Sequence, residues 1–151
     1  MARAELSPVV VLYDADCGFC RWAMAWVVRH DPDRALVPVP IQSPLGGELL
    51  ADLSPEERLR AAHTVTGDGM RHSGGAAAAD VLSALPSTRL LGRLAHLWPG
   101  AAAVLYRVLA ARRADLGRLV GSEARRSADA LLQATRVTTA AELGDRSRPD
   151  T

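Results

Sequence analysis

The N-terminal part of the chain alternates short apolar runs with one amphipathic stretch. Residues 8–13 form an apolar, β-branched run without alternation, which predicts a strand buried on both faces. Residues 17–30 are long enough for a helix, and we expect it to end at 31–33, because the residue before a proline disfavours helical torsions. Residues 35–41 alternate but contain prolines, which predicts a short edge strand. The apolar side chains of the predicted helix recur at helical spacing and are expected to face the core: Phe19, Trp22, Ala23 and Trp26.

The middle of the chain predicts a strong helix start and a hairpin. Residues 45–53 predict only a weak helical turn. The Ser-Pro-Glu-Glu run at 54–57 combines a cap residue, a proline at the first helical position and a glutamate at the third. Residues 63–73 predict a β-hairpin around a Gly-Asp-Gly turn, and residues 76–85 predict a helix.

The rest of the chain predicts helices. Residues 88–98 and 101–119 carry leucine and valine at amphipathic spacing, with Pro99-Gly100 between them. Residues 122–136 predict a last helix, followed by a polar tail at 144–151 that we expect to be frayed.

The order of these elements indicates the fold class. A strand–helix–strand unit followed by a hairpin and a helix is the order of a thioredoxin-like α/β fold. We therefore expect a single domain, residues 1–151, with a thioredoxin-like core at about 8–86 and a helical C-terminal extension at about 88–136. No internal repeat and no linker argues for a second domain.

Composition and charge narrow the function classes. Hydrophobic residues make up 48% and charged residues 23% of the chain, which excludes a disordered tail and a disulfide-dense scaffold. The net charge of +1 predicts no nucleic-acid partner. All 18 basic residues are arginine, so lysine chemistry is excluded. The apolar run at 9–13 is far shorter than the roughly 20 residues that span a bilayer, and we expect a cytoplasmic location.

Two cysteines stand where the predicted first strand gives way to the predicted helix. In Cys17-Gly18-Phe19-Cys20, the cysteines lie on one face of a first helical turn, close enough for a disulfide. A helix N-terminus carries roughly half a positive charge, which favours a thiolate at Cys17. We therefore expect Cys17 to attack a substrate disulfide and Cys20 to resolve the mixed disulfide. Gly18 is expected to let the backbone approach a substrate, and Phe19 to offer it an apolar contact.

Two other interpretations of the cysteine pair remain open, a zinc half-site and an inert structural pair. Structural zinc takes four ligands, typically from a second cysteine pair or two spaced histidines. The chain has two cysteines in all, and His63 and His72 fall on opposite arms of the predicted hairpin. A redox pair is the favoured interpretation, with no metal site and no organic cofactor expected.

Residues 12–22, Leu-Tyr-Asp-Ala-Asp-Cys-Gly-Phe-Cys-Arg-Trp, resemble the opening of the DCC family of predicted thiol–disulfide oxidoreductases, named for its Asp-Cys-Cys pattern. The resemblance continues at 40–43, 71–76 and 106–113, and covers about residues 8–120. It implies a thioredoxin-like fold and exchange with a protein or small-molecule disulfide or thiol. It does not supply a particular substrate.

Acidic residues precede both thiols. Asp14 could accept a proton from Cys20 as it attacks, which makes Asp14 a candidate catalytic residue. Asp14 could equally be a turn or capping residue, and Asp16 is the better cap candidate. Because a nearby negative charge raises a thiol pKa, a cation would be the counterweight, and Arg21 is the nearest in the sequence.

The chain departs from ordinary thioredoxins before the third predicted strand. Thioredoxins carry a cis-proline in that substrate-binding loop, whereas this chain has Leu-Arg-Ala-Ala at 59–62. How a substrate backbone is held, and whether protein disulfides are substrates, is therefore open.

The histidines are expected at surface or packing positions, with His63 or His72 as the candidates to lie near the thiols: His30, His63, His72 and His96. Ser73 is interpreted as structural, because it has no nucleophile-elbow context.

The late helices are rich in leucine and arginine. Basic amphipathic helices can lie on anionic membranes, but the interspersed Asp115, Glu123 and Asp129 favour a solvated face, so membrane-surface association is possible and not favoured. The rival function is a non-catalytic adaptor that docks a membrane or protein partner through these helices. The arginines concerned are Arg107, Arg112, Arg113, Arg118, Arg125 and Arg126.

Overall fold

The computed structural model describes residues 8–146, without the side chains of residues 137 and 139–146. The described strands form one sheet: β1 (Val9–Tyr13), β2 (Leu36–Pro40), β3 (His63–Val65) and β4 (Arg71–Ser73). The described helices are α1 (Gly18–Arg29), α2 (Pro44–Leu49), α3 (Pro55–Arg60), α4 (Gly75–Ala84), α5 (Arg89–Leu97), α6 (Pro99–Ala111), α7 (Arg113–Leu119) and α8 (Ser122–Arg146).

The sheet has the order β2-β1-β3-β4. β1 and β2 are parallel and are joined through α1, whereas β3 runs antiparallel to both β1 and β4. The prolines of β2 lack an N–H, which fits its place at the edge of the sheet. This mixed α/β architecture with a helical C-terminal part is consistent with a thioredoxin-like fold and confirms the predicted fold class.

Successive side chains of β1 point to opposite faces of the sheet and pack into two separate hydrophobic cores. Val11 and Tyr13 lie on one side of the sheet, which we call the α1 face, and pack in a cluster that includes buried residues of α1. Leu12 lies on the other side, the α2 face, and packs with Val39 and with Leu50, which follows α2.

The C-terminal helix completes the core on the α1 face. Ala128 and Leu132 of α8 are buried in the same cluster as Val11 and Tyr13. The Arg136 guanidinium donates a 2.7 Å hydrogen bond to the phenol of Tyr13. The predicted extension therefore supplies part of the main hydrophobic core.

Residues 101–119 are helical as predicted but do not form one continuous helix, since the chain breaks into α6 and α7 at Arg112. The break turns α7 back towards α1, and a Cβ added to Gly117 would lie 3.4 Å from the backbone nitrogen of Phe19. α8 extends beyond the predicted end at 136, so residues 144–146 of the predicted tail are helical, while residues 147–151 lie outside the described residues.

α5 and α6 leave a large apolar face exposed. Leu105 and Trp98 are 72% and 66% exposed. Among the described residues no single helix is long and apolar enough to cross a bilayer, whereas α5 and α6 together have the length and composition but bend by 112° at their junction. The other large apolar side chains exposed on these helices are Leu90, Leu91, Leu94, Leu97, Val104, Val108 and Leu109.

Candidate active site

Cys17 and Cys20 form a disulfide at the start of α1, with their Cα atoms 5.2 Å apart. β1 ends at Tyr13, a short turn follows, and α1 begins at Gly18. The strand-to-helix junction predicted for the cysteine pair is therefore confirmed.

Cys17 is the N-cap residue of α1. Its backbone is extended, with φ −88° and ψ 115°, and its Sγ accepts a 3.3 Å hydrogen bond from the backbone N–H of Cys20. An N-cap side chain normally offers an oxygen to this N–H, so the sulfur takes that role. The prediction that Asp16 would be the cap is wrong, because Asp16 lies one residue too early.

Asp14 holds the turn before the cysteines. Its Oδ1 accepts the backbone N–H of Asp16 at 3.0 Å and the side-chain amide of Gln42 at 2.7 Å. The same amide nitrogen donates to Asp16 at 3.3 Å, and the Gln42 carbonyl oxygen accepts the N–H of Ala15 at 3.1 Å. The turn interpretation of Asp14 is thus confirmed, and its catalytic role stays a prediction. Gln42 was not expected in the site, although it lies in the 40–43 segment of the family resemblance.

Two cations lie beside the cysteine turn, Arg21, which the sequence indicated, and Arg125, which it did not. Arg21 pairs with Asp129 of α8 at 3.0 Å and donates to the carbonyl of Ala15 at 3.1 Å. Arg125 of α8 places its Nε 3.9 Å from the position that a Cβ on Gly18 would take. That Nε is buried without a hydrogen-bond partner, while the guanidinium donates to the carbonyl of Gly117.

Sequence reasoning missed Arg125 because no local signal connects it with the cysteines. It lies more than a hundred residues beyond them, and only the packing of α8 along α1 brings the two segments together. The contact also shows what a side chain at Gly18 would meet. A Cβ at this position would face Arg125 of the same protein, so the role of Gly18 in substrate binding stays a prediction.

An apolar cavity of about 430 Å³ adjoins the disulfide. One wall belongs to α1 and contains Cys20 and Phe19, whose ring lies 5.9 Å from the ring of Trp22. The opposite wall belongs to α4 and α6, and β1 contributes Val11 and Tyr13. Cys20 of the disulfide and Asp14 both line the cavity, whereas Cys17 does not.

The predicted core face of α1 lines this cavity instead of being fully buried. Phe19, Trp22, Ala23 and Trp26 are all half-buried and border the open space, with Trp26 also packed against the main core. The fully enclosed residues of α1 are Met24 and Ala25. The difference arises because the wall facing α1 is built from small side chains: Ala61, Ala62, Ala77 and Ala78.

The backbone before β3 is already engaged within the protein. The N–H of Ala62 donates a 2.7 Å hydrogen bond to the phenol oxygen of Tyr106, and its carbonyl accepts the N–H of Gly74 at 3.0 Å. Ala62 immediately precedes β3 and belongs to the 59–62 segment, which has no proline. Both of its backbone polar groups have partners here.

His63 is not near the thiols. It pairs with Leu12 in the sheet and therefore lies on the α2 face, opposite the cavity. Its ring is bonded to Ser73 Oγ at 2.7 Å and to the carbonyl of Arg58 at 3.0 Å, and burial lowers the pKa of His63. The expected packing position of His63 is confirmed, and the alternative that it lies near the thiols is wrong; its bond to Ser73 agrees with the structural interpretation of that serine.

The other histidines also have partners outside the site. His72 and His96 both approach the Asp80 carboxylate of α4, at 2.7 and 3.6 Å. His30 stacks on Trp26 at the far end of α1, with ring centroids 4.1 Å apart. Among the residues whose side chains the structure describes, no three His, Cys, Asp or Glu side chains are grouped so that they could hold a metal ion.

A family model described as DCC1-like thiol-disulfide oxidoreductase matches residues 11–119. This chain belongs to that family. The matched region runs from β1 to the end of α7, so it includes the cysteine pair and every residue that lines the cavity, but ends before Arg125. The family resemblance seen in the sequence is thereby confirmed. No curated protein and no solved structure matches the chain.

Proposed function

We propose that this protein exchanges its Cys17–Cys20 disulfide with a substrate disulfide or thiol, and that Cys17 is the attacking sulfur. The observation that carries the proposal is the N-cap position of Cys17, where its sulfur accepts the N–H of Cys20. In the reduced protein this N–H and the positive end of α1 favour a thiolate at Cys17. The Arg125 guanidinium beside Gly18 adds a positive charge to the same region.

The reaction proceeds in two exchanges. The Cys17 thiolate attacks one sulfur of the substrate disulfide, a Cys17–substrate bond forms, and the other sulfur leaves as a thiolate that takes a proton from water. Cys20 then loses its proton, attacks the Cys17 sulfur and releases the second substrate thiol. The substrate gains two electrons and the protein is left with its disulfide. The same steps in reverse oxidise two substrate thiols.

Asp14 is the proposed acceptor for the Cys20 proton. Asp14 and Cys20 border the same cavity, and the hydrogen bonds from Asp16 and Gln42 fix the orientation of the carboxylate. A positioned general base of this kind typically contributes about 10²- to 10⁴-fold to a proton transfer.

Equilibration in glutathione buffers tests the main proposal. We expect a reversible two-electron Cys17–Cys20 couple between about −120 and −300 mV, read by alkylation and mass spectrometry. The reduced protein should also reduce a model disulfide, and Cys17→Ser should lower that rate to the uncatalysed level. A pair with no reversible couple in this range would overturn the proposal.

The role of Asp14 is tested by Asp14→Asn, which keeps the oxygen that accepts the Asp16 N–H. We expect the resolving step to slow by about 10²-fold. Asp16→Asn is the matched control, because it removes a carboxylate charge from the same turn, two residues along the chain. Equal effects of the two substitutions would leave Asp14 with a turn-forming role alone.

A second function is favoured by the exposed apolar face of α5 and α6. We propose that this face rests on an anionic lipid surface. Residues 86–119 carry six arginines and one aspartate, a formal charge of +5 in a chain whose net charge is +1. Of the acidic residues that argued against this function, Asp129 of α8 is paired with Arg21 of α1. Charge and exposed leucines thus coincide in one segment.

Vesicle flotation tests the lipid proposal. Each arginine near an anionic membrane surface adds about 1 kcal/mol to the binding free energy. The protein should therefore bind phosphatidylglycerol vesicles more than tenfold more strongly than phosphatidylcholine vesicles. Leu105→Glu should weaken binding, whereas Cys17→Ser should leave it unchanged. Equal binding to the two kinds of vesicle, or no binding to either, would overturn the lipid proposal.

A further inference from the structure

We infer that the cavity beside Cys20 binds an apolar group of a small-molecule disulfide or thiol, and its volume of about 430 Å³ is ample for a substituted benzene ring. The inference rests on the proposed exchange function and names its substrate class. Its basis is an apolar space of about 430 Å³ that is lined by the resolving cysteine, Cys20, the disulfide partner of Cys17. Pockets for small organic ligands have volumes of about 300–1,000 Å³.

The lining favours an aromatic or branched aliphatic group. Phe19, Trp22 and Trp26 present aromatic carbon from α1, and Val81 and Leu82 present aliphatic carbon from α4. Transfer of an apolar group from water into such a lining is favourable in proportion to the area buried. A strongly charged substrate such as glutathione disulfide gains little from these walls.

The cavity is present without a ligand because several residues in its wall have short side chains. Alanines at Ala23, Ala61, Ala62, Ala77 and Ala78 border it where larger side chains would fill the space. The sheet below is fully packed, since Val11 and Tyr13 are buried in the main core. A preformed site requires little ordering of side chains when a ligand binds.

Few polar residues line the cavity, and most of them have partners within the protein. Asp14 and Cys20 belong to the cysteine turn and the start of α1. The Tyr106 phenol accepts the N–H of Ala62, the Thr64 hydroxyl donates to Asp80, and one Arg113 nitrogen donates to the carbonyl of Leu59 at 3.0 Å. The greater part of the lining is apolar.

Peptide recognition is disfavoured by the segment before β3. A substrate strand that paired with Ala62 would need its N–H or its carbonyl, and both are bonded within the protein, to Tyr106 and to Gly74. Backbone pairing is the usual source of affinity when an extended peptide is bound along a protein strand. A small molecule held by its apolar group needs no such pairing.

With such a substrate the exchange remains balanced. Cys17 attacks the sulfur that carries the apolar group, the other half of the substrate leaves as a thiol, and Cys20 then displaces the apolar thiol. Two electrons pass from the protein dithiol to the substrate, and the protein disulfide re-forms.

Single-turnover kinetics with pre-reduced protein test the inference. Benzyl 2-hydroxyethyl disulfide and bis(2-hydroxyethyl) disulfide share the same reacting bond and differ by the aromatic group. Burial of a phenyl group is worth at least tenfold in rate or affinity, so we expect the benzyl compound to react about 10- to 100-fold faster. Equal second-order rate constants would overturn the inference.

A matched pair of substitutions on α4 assigns the preference to the cavity. Ala78→Leu fills the space and should reduce the benzyl preference to about twofold or less. Ala76→Leu makes the same change at an exposed position of the same helix and should keep the preference. If Ala78→Leu does not fold, Ala23→Leu replaces it in the experiment, because it fills the same cavity from the α1 side. Retention of the preference in folded cavity-filling variants would overturn the assignment.

A binding measurement separates this inference from the proposed function. 4-Nitrobenzyl alcohol has no disulfide and quenches tryptophan on contact, and Trp98→Phe removes the exposed indole and leaves Trp22 and Trp26 in the cavity wall. Saturable quenching that Ala78→Leu abolishes supports the cavity even if disulfide exchange fails. Exchange without a benzyl preference or saturable quenching would refute the cavity inference and leave the exchange function standing.

Discussion

The two faces of the sheet are packed in opposite ways. On the α2 face, Leu12 and Leu50 have no exposed surface, and Val39 and Ile41 close around them. On the α1 face, the same strand supports a dense core on one side of α1 and an apolar cavity on the other. Side-chain size contributes to the difference, since leucine and isoleucine fill the α2 face whereas alanines stand between the larger aromatic and aliphatic residues of the cavity wall. Those alanines contribute to the open space beside Cys20.

The largest expected effect lies on the α2 face. Leu12→Ala should lower the free energy of unfolding by about 2–5 kcal/mol, because it leaves a void in a filled core. Leu82→Ala, at the cavity wall, should cost less, because that side chain already borders open space and has fewer contacts to lose. Urea denaturation of both variants measures the two losses in the free energy of unfolding. Equal losses would mean that the two faces are equally well packed.

An insertion of volume sharpens the same comparison within α1. Ala25 is fully buried, so Ala25→Leu should destabilise the protein by about 1–3 kcal/mol through overpacking. Ala23→Leu makes the identical change at the cavity wall and should cost less than about 1 kcal/mol, since the new side chain enters existing space. A loss for Ala23→Leu as large as that for Ala25→Leu would contradict the presence of usable space.

The α2 face also predicts a pH dependence of stability. Burial lowers the pKa of His63 below 6.5, so the unfolded chain binds its proton first as the pH falls. Its stabilising contribution is therefore complete above about pH 6.5 and declines as the pH falls from there towards the lowered pKa. His63→Gln should flatten the pH profile of the free energy of unfolding in this range. An unchanged profile would assign the dependence to another group.

The smallest effect is expected at the solvent-exposed rim of this face. The Arg71 guanidinium bonds both carboxylate oxygens of Asp52 and lowers the pKa of Asp52 from 3.8 to about 2. The contribution of this pair is present above about pH 4 and is lost as the pH falls through about 2. Asp52→Asn should lower stability slightly at low salt and not at high salt, because exposed pairs are screened. A salt-independent loss would contradict the assignment to the ion pair.

Local signals predicted the elements and the position of the cysteines. The Ser54 helix start forms the expected capping box with Glu57, with hydrogen bonds of 3.3 and 2.9 Å. The strand, hairpin and α1 predictions hold because each depends on residues close together in the chain. The errors concern contacts between distant segments. Arg125 beside Gly18, and α7 folded back onto α1, result from helix packing that no short sequence window contains.

By itself, the sequence determined that two cysteines three residues apart begin a helix after a buried strand, because strand pattern, turn and helix start are local properties. It also contained the alanines that line the cavity. Only the tertiary structure decided that these alanines face α1 across an open space, that Cys17 caps the helix, and that Arg125 lies beside the pair. The physical reason is that burial and charge at a site depend on which distant elements pack against it.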